Sequence, residues 1–129
     1  MKLLNYMLFF YATLFLSGCV STMEDSIAAK GTGPYRIYDN SKEEVWPVVI
    51  DTIDSSELIL VEENKISGSI LARRGFTAFS YGENVAIFVE DQDDKKCRVE
   101  VISKRVVSAN ILAPDWSESI FKNIDAKLK

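Results

Sequence analysis

Histidine is absent from this chain, and cysteine (two), proline (three) and glycine (six) are sparse among its 129 residues. Without histidine the commonest general base, zinc ligand and pH switch are all missing, which removes most familiar hydrolytic and metal-centred sites. A basic surplus is missing too: 15 Lys and Arg face 19 Asp and Glu, a formal charge of −4. Proteins that neutralise phosphates need the opposite balance, so no nucleic-acid partner is expected. Long apolar runs are lacking as well. The longest, residues 3–16, falls short of the roughly 17–25 residues of a spanning helix. What remains is 47% hydrophobic and 26% charged, with a mean hydropathy of +0.02, the composition of one folded globular unit. No internal repeat or low-complexity run interrupts it.

The first 18 residues begin with Lys2 as their only charge, continue through the short apolar stretch and end on small side chains. This is the layout of a secretory leader. Its ending, Leu16-Ser17-Gly18-Cys19, resembles the lipobox of bacterial lipoproteins, in which the cysteine thiol receives diacylglycerol and the chain is cut just before it. Leu16 suits the hydrocarbon, while Ser17 and Gly18 let the backbone extend and present the thiol. The resemblance implies residues 1–18 as signal peptide, Cys19 as lipidation site and membrane anchor, and residues 19–33 as lipidated amino terminus and tether. Two or three acyl chains hold a protein almost permanently, since each buried CH₂ contributes about 0.8 kcal/mol. Loss of Lys2 makes the formal charge more negative still, so the acyl group rather than a basic patch is expected to hold the body at an anionic bilayer. Val20 in place of Asp after the cysteine resembles outer-membrane rather than inner-membrane lipoproteins, which implies a cell-envelope location facing the periplasm. Cys97 is then left without an intrachain partner.

Residues 34–129 are expected to form the single domain. Tyr35 to Tyr38 suggests a first strand with Tyr35 and Ile37 on one face. Ser41-Lys42-Glu43-Glu44 fits a capping box, and Val45, Val48, Val49, Thr52 and Ile53 follow at helical spacing, with Trp46 and Ile50 widening the stripe and Pro47 one turn inside. Leu58 to Val61 and Ile66 to Ala72 read as a hairpin around a polar turn at Glu62 to Lys65. Val85, Ile87 and Val89, then Cys97, Val99 and Val101, alternate with their neighbours on either side of the turn Asp91 to Lys96, the clearest antiparallel pair in the chain. Asp115 is placed to cap a last helix, with Glu118 completing a box and Trp116, Ile120, Phe121, Ile124 and Leu128 as its stripe. The fold class expected is α+β in the order β-α-β-β-β-β-α: a two-layer sandwich of a mainly antiparallel sheet of four to five strands, with two helices on one face and a more polar face opposite.

Few residues carry recognisable chemistry. Asp91, Asp93 and Asp94 resemble the start of a calcium loop, but the glycine and glutamate that such a loop requires are missing, so a solvated turn is favoured and no metal is expected. Cys97 lacks a histidine to activate it and alternation places it on a buried face. Arg73, Arg74, Lys104 and Arg105 lie at strand ends where an anion site is conceivable, although scattered solvated charges are the simpler reading. Trp46, Phe76, Phe79 and Trp116 are the candidate surface for a ligand or partner, with core packing the simpler reading for the two tryptophans. No catalytic pair and no cofactor motif is visible.

The segments from Glu83 to Val89, from Cys97 to Lys104 and from Ala113 to Trp116 together resemble a set of small proteobacterial lipoproteins of uncharacterised function, over roughly residues 36–128. The layout also resembles, more distantly, the helix-on-sheet domains of one of the lipoprotein components of the outer-membrane barrel-assembly machine. These likenesses are architectural and carry over no catalytic residue. The function expected is a non-enzymatic envelope lipoprotein offering its domain to an unknown envelope protein. The alternative is a carrier of an apolar ligand or lipid held between helices and sheet.

Overall fold

A computed structural model describes residues 20–129. The signal-peptide and lipidation readings at Leu16, Ser17, Gly18 and Cys19 lie outside the described residues. The elements in chain order are α1 (Met23–Ala28), β1 (Tyr35–Tyr38), α2 (Lys42–Asp54), β2 (Ile59–Asn64), β3 (Ser69–Arg74), β4 (Glu83–Asp93), β5 (Lys96–Arg105) and α3 (Trp116–Lys127). All five strands form one antiparallel sheet in the order β1-β5-β4-β3-β2. The fold is α+β, as the sequence patterning predicts.

One face of the sheet is closed by α2 and α3. Ile70 and Ala72 of β3, Val85, Ile87 and Val89 of β4, and Cys97, Val99 and Val101 of β5 meet Val45, Trp46, Val49 and Ile53 of α2 and Ile120, Phe121 and Ile124 of α3 in one buried cluster. Strict alternation in β4 and β5 produces this face, because every second side chain points the same way. Helix α2 begins at Ser41, whose hydroxyl accepts from Glu44 N–H while the Glu44 carboxylate accepts from Ser41 N–H at 2.8 Å. It runs through Pro47 to Asp54 without interruption. Helix α3 is capped by Asp115, which accepts from Ser117 N–H at 2.9 Å. No described hydrogen bond returns from Glu118, so the reciprocal box predicted there is not formed.

The opposite face departs from expectation. Within the segment read as a tether, residues 20–33 contain α1, closed by a Thr22–Asp25 capping box, and they pack over a second, smaller apolar cluster of Leu71, Ala86, Phe88 and Ile102 with Met23 and Ala29. Glu100 fastens this segment. Its carboxylate, fully buried, accepts from Gly31 N–H and Gly33 N–H, each at 2.8 Å, and from Arg98 at 2.9 Å. Burial alone would raise the Glu100 carboxyl; the bonds from Gly33, Arg98 and Gly31 outweigh it and hold the group below its ordinary value. Gly33 is required where the chain crosses the edge of β5, since a Cβ there would lie 2.4 Å from Ile102 Cδ1 and 2.7 Å from the Val101 carbonyl oxygen.

Two turns also shift from their predicted places. Glu62 to Asn64 continues β2 instead of turning, with a bulge between Leu60 and Glu62; β2 is an edge strand, where charged side chains remain solvated and guard against further pairing. The turn lies at residues 65–68, closed by Gly68 at φ 74°, and Ile66, predicted in a strand, sits fully exposed at its tip. Strand β4 likewise runs on to Asp93 through an irregularity between Asp91 and Asp93, so Asp91 and Asp93 belong to the ladder and Asp94 to the tight turn that follows it.

Candidate functional site: the loop end of the sheet

The two long connections of the fold, residues 75–82 and 106–115, leave the same end of the sheet, where Arg74 pairs with Glu83 and Glu83 with Arg105. Both carry large apolar side chains into solvent: Phe76 and Phe79 are each 75% exposed, Tyr81 60%, Ile111 83% and Leu112 71%. Single exposed apolar residues are ordinary, but several gathered on adjacent loops mark an interaction surface.

A polar framework beneath holds these loops in place. Glu83 is fully buried and accepts from the Ser80 hydroxyl and, at 3.4 Å, from the Trp116 indole N–H. Ser80 Oγ in turn accepts from Gly82 N–H at 3.0 Å. The first loop is closed by Thr77 N–H to Ser80 O at 2.7 Å and by Phe76 against Tyr81, edge to face at 5.6 Å between centroids. Gly82, at φ 107°, turns the chain into β4 where a Cβ would come within 2.7 Å of the Arg74 carbonyl oxygen. The second loop is bound to the first by Val106 N–H to Gly82 O at 2.9 Å and by the Asn110 amide to Phe79 O at 3.3 Å, while Arg105 donates to Asn110 O at 3.1 Å. Hydrogen bonds, buried around Ser80 and Glu83 and exposed at Asn110, thus fix the backbone while apolar side chains face outward, the reverse of the pattern that protects a core.

Of the four predicted surface residues, Phe76 and Phe79 are brought together on one loop. Trp116 lies half-buried beneath them, with the Arg74 guanidinium 5.5 Å from its ring centroid. Trp46 leaves the candidate surface and takes the simpler of its two readings: it belongs to the helix-side core, buried between α2 and the sheet, because its position in the α2 stripe turns the ring inward. Tyr81, Ile111 and Leu112 do not stand out from sequence; the adjacent Ile111-Leu112 pair in a stretch without helical or strand period is the available signal.

The four cations share this end but not one face. Arg73 pairs across the sheet with Asn84, and Asn84 with Lys104, on the α1 side; Arg74 and Arg105 flank Glu83 on the α2/α3 side. Arg74 pairs with Glu57 at 2.5 Å, whereas Arg73, Lys104 and Arg105 form no ion pair among the described residues. No single anion site results.

The amino-terminal end of the described chain arrives here too. Val20 bridges Val107, Ser21 N–H donates to Val106 O at 2.8 Å, and the Asn84 amide donates to Ser21 O at 3.2 Å.

Elsewhere the prospects for chemistry are few. Cys97 is buried, and desolvation together with the nearby Asp91 carboxylate pushes its thiol up to about 11, away from nucleophilic use. An open cleft of about 360 Å³ between Ser41–Glu43 and Asp91–Asp94 is polar. No group of three or more metal-ligating side chains gathers among the described residues, and no described helix is long and apolar enough to cross a membrane. No protein-family model matches this chain. No curated protein is similar enough to it to count as a relative.

Proposed function

We propose that this chain is an envelope lipoprotein, anchored to a membrane through acylated Cys19 and presenting its α+β domain to a protein partner in the periplasm without catalysing a reaction. The observation that carries the reading is the Leu16-Ser17-Gly18-Cys19 sequence placed one residue before Val20, whose backbone is pinned to the loop end of the sheet. Consecutive Cα atoms are about 3.8 Å apart, so an acyl group on Cys19 would bring that end to the bilayer. The buried carboxylates support a role built on shape: Glu83 and Glu100 are both occupied by hydrogen bonds that organise backbone. The outer membrane is the membrane proposed, on the strength of Val20 at the position after the cysteine.

Intact-mass analysis of the full chain made in a Gram-negative host tests the anchor. The expected product starts at Cys19 and carries diacylglycerol, and Cys19→Ala leaves an unprocessed precursor. A chain that retains its leader, or begins with an unmodified cysteine, would overturn the anchor. Crosslinking in intact cells tests the role: a reproducible envelope protein attached to the domain is expected, and the absence of any protein neighbour removes it.

A further inference from the structure

The loop end combines three independent features. Phe76, Phe79, Tyr81, Ile111 and Leu112 project from it; Arg73, Lys104 and Arg105 border it without ion-pair partners among the described residues; and the chain enters it at Val20, itself 63% exposed. We propose that this end of the domain docks on the bilayer itself, with the exposed apolar loop side chains entering the interfacial region of the membrane face that carries the acyl group on Cys19. The inference rests on the anchoring read above and adds a second, non-covalent membrane contact.

The choice of a lipid surface over a protein follows from where the chain ends. Residues 20 and 21 are held to Val107 and Val106, leaving no slack between the acylated residue and the sheet. An anchored domain therefore brings residues 75–82 and 106–115 to the bilayer before anything else can cover them. Aromatic side chains are favoured at the interface between headgroups and acyl chains, and unpaired Arg and Lys are attracted to anionic headgroups within a Debye length. Among the carboxylates at this end, Glu57 is paired with Arg74, Glu83 is buried, Asp115 caps α3 and Asp25 lies near enough to Lys104 to feel its charge, so Arg73 and Arg105 are the cations that border the apolar loops without an ion-pair partner among the described residues. Ile66, fully exposed in the turn of the β2–β3 hairpin at the other end of the sheet, would then point away from the membrane.

The full chain, purified in detergent from a Gram-negative host and reconstituted into vesicles of phosphatidylethanolamine and phosphatidylglycerol, provides the test. A nitrobenzoxadiazole probe is attached through Ile111→Cys or, as control, Ile66→Cys; both sites are exposed, while Cys97 is buried. Intact mass of each sample reads acylation of Cys19 separately. Docking predicts blue-shifted emission and quenching by shallow doxyl lipids for the probe at 111 and neither for the probe at 66. Phe79→Ser, and Phe76→Ser with it, should abolish most of that quenching; Phe79 is exposed, and since Phe76 also packs on Tyr81, the single Phe79→Ser variant reads the loss of apolar contact by itself. An acylated chain whose two probes are equally unquenched overturns the docking and leaves the anchor standing; so does a loop end that crosslinks to a protein while its probe stays in water. If the mass shows no acyl group, the anchor fails and flotation with the same vesicles decides the docking alone. Binding that drops roughly tenfold for each phenylalanine replaced upholds it, and no binding overturns it.

Discussion

The two faces of the sheet are held by different physics. The α2/α3 face is a continuous apolar layer in which Val45, Val49, Ile53, Val85, Ile87, Val99 and Ile124 lose all contact with water. Among the described residues the α1 face has four buried apolar residues in its cluster and relies on polar contacts to hold a segment from outside the sheet, with the Glu100 carboxylate taking three of them and the Lys30–Glu90 pair and the bonds at Ser21 the rest. Non-directional burial spreads stability over many side chains, each partly replaceable. A charged hydrogen-bond hub concentrates it in one group whose loss leaves several partners unsatisfied at once. The first arrangement should fail globally and the second locally.

The largest expected effect lies on the first face. Ile87→Ala removes buried methyl groups at the centre of β4 and should lower the unfolding free energy by about 2–5 kcal/mol, with a single cooperative transition in urea. A second, earlier transition would break the view of that face as one unit. Next is Glu100→Ala. Losing its charge-assisted bonds should cost about 1.5–3 kcal/mol, yet the loss should appear as faster amide exchange at Gly31, Gly33 and α1, while β4 and β5 keep their protection. Equal loss of protection across the sheet would show that the two faces are coupled.

Acid should reproduce part of the second effect. The Glu100 carboxyl is held below its ordinary value of 4.5 in the folded protein, so its contribution is fully present above that pH and disappears as pH falls through the depressed folded value. Exchange at Gly31 and Gly33, corrected for intrinsic rates, is expected to rise in this window, and Glu100→Gln should remove the pH dependence. The smallest effect is a null one. Cys97 lies on the α2/α3 face, and a thiol raised from 9.0 to about 11 carries roughly a hundredfold less thiolate at neutral pH even before access is considered. Labelling by a thiol reagent should be slow and should stay equally slow in Glu100→Ala, since releasing α1 does not open the other face.

Legibility in the sequence follows the same division. The α2/α3 face is readable because periodicity is a local signal: alternation in β4 and β5, a stripe in α2, an aspartate before α3. The α1 face is not. A six-residue helix has no room for a stripe, and although Thr22 and Asp25 supply a capping box, nothing nearby shows what it packs against. Glu100 finds Gly31 and Gly33 from 69 and 67 residues away, a separation invisible to any window. Edge strands blur in the same way: Glu62 and Glu63 read as a turn because an edge tolerates charge. At the loop end, Phe76 and Phe79 stand out as aromatics in a non-periodic stretch. Trp46 is a candidate for that surface as an aromatic, yet its place in the α2 stripe already favours the inward position it takes, and the grouping of Tyr81, Ile111 and Leu112 depends on two connections leaving the same end of the sheet.

The way residues 20–33 are fastened has a mechanical consequence. Tension applied through residue 20 would meet the hydrogen bonds around Ser21 first, then the short helix, and only afterwards the Glu100 grip on Gly31 and Gly33. Releasing the segment in that order would free about 14 residues, a reach of roughly 50 Å, while β1 and the rest of the sheet stayed folded. The strap would act as an extensible shock absorber, letting the domain follow a receding partner before its own structure bears the load.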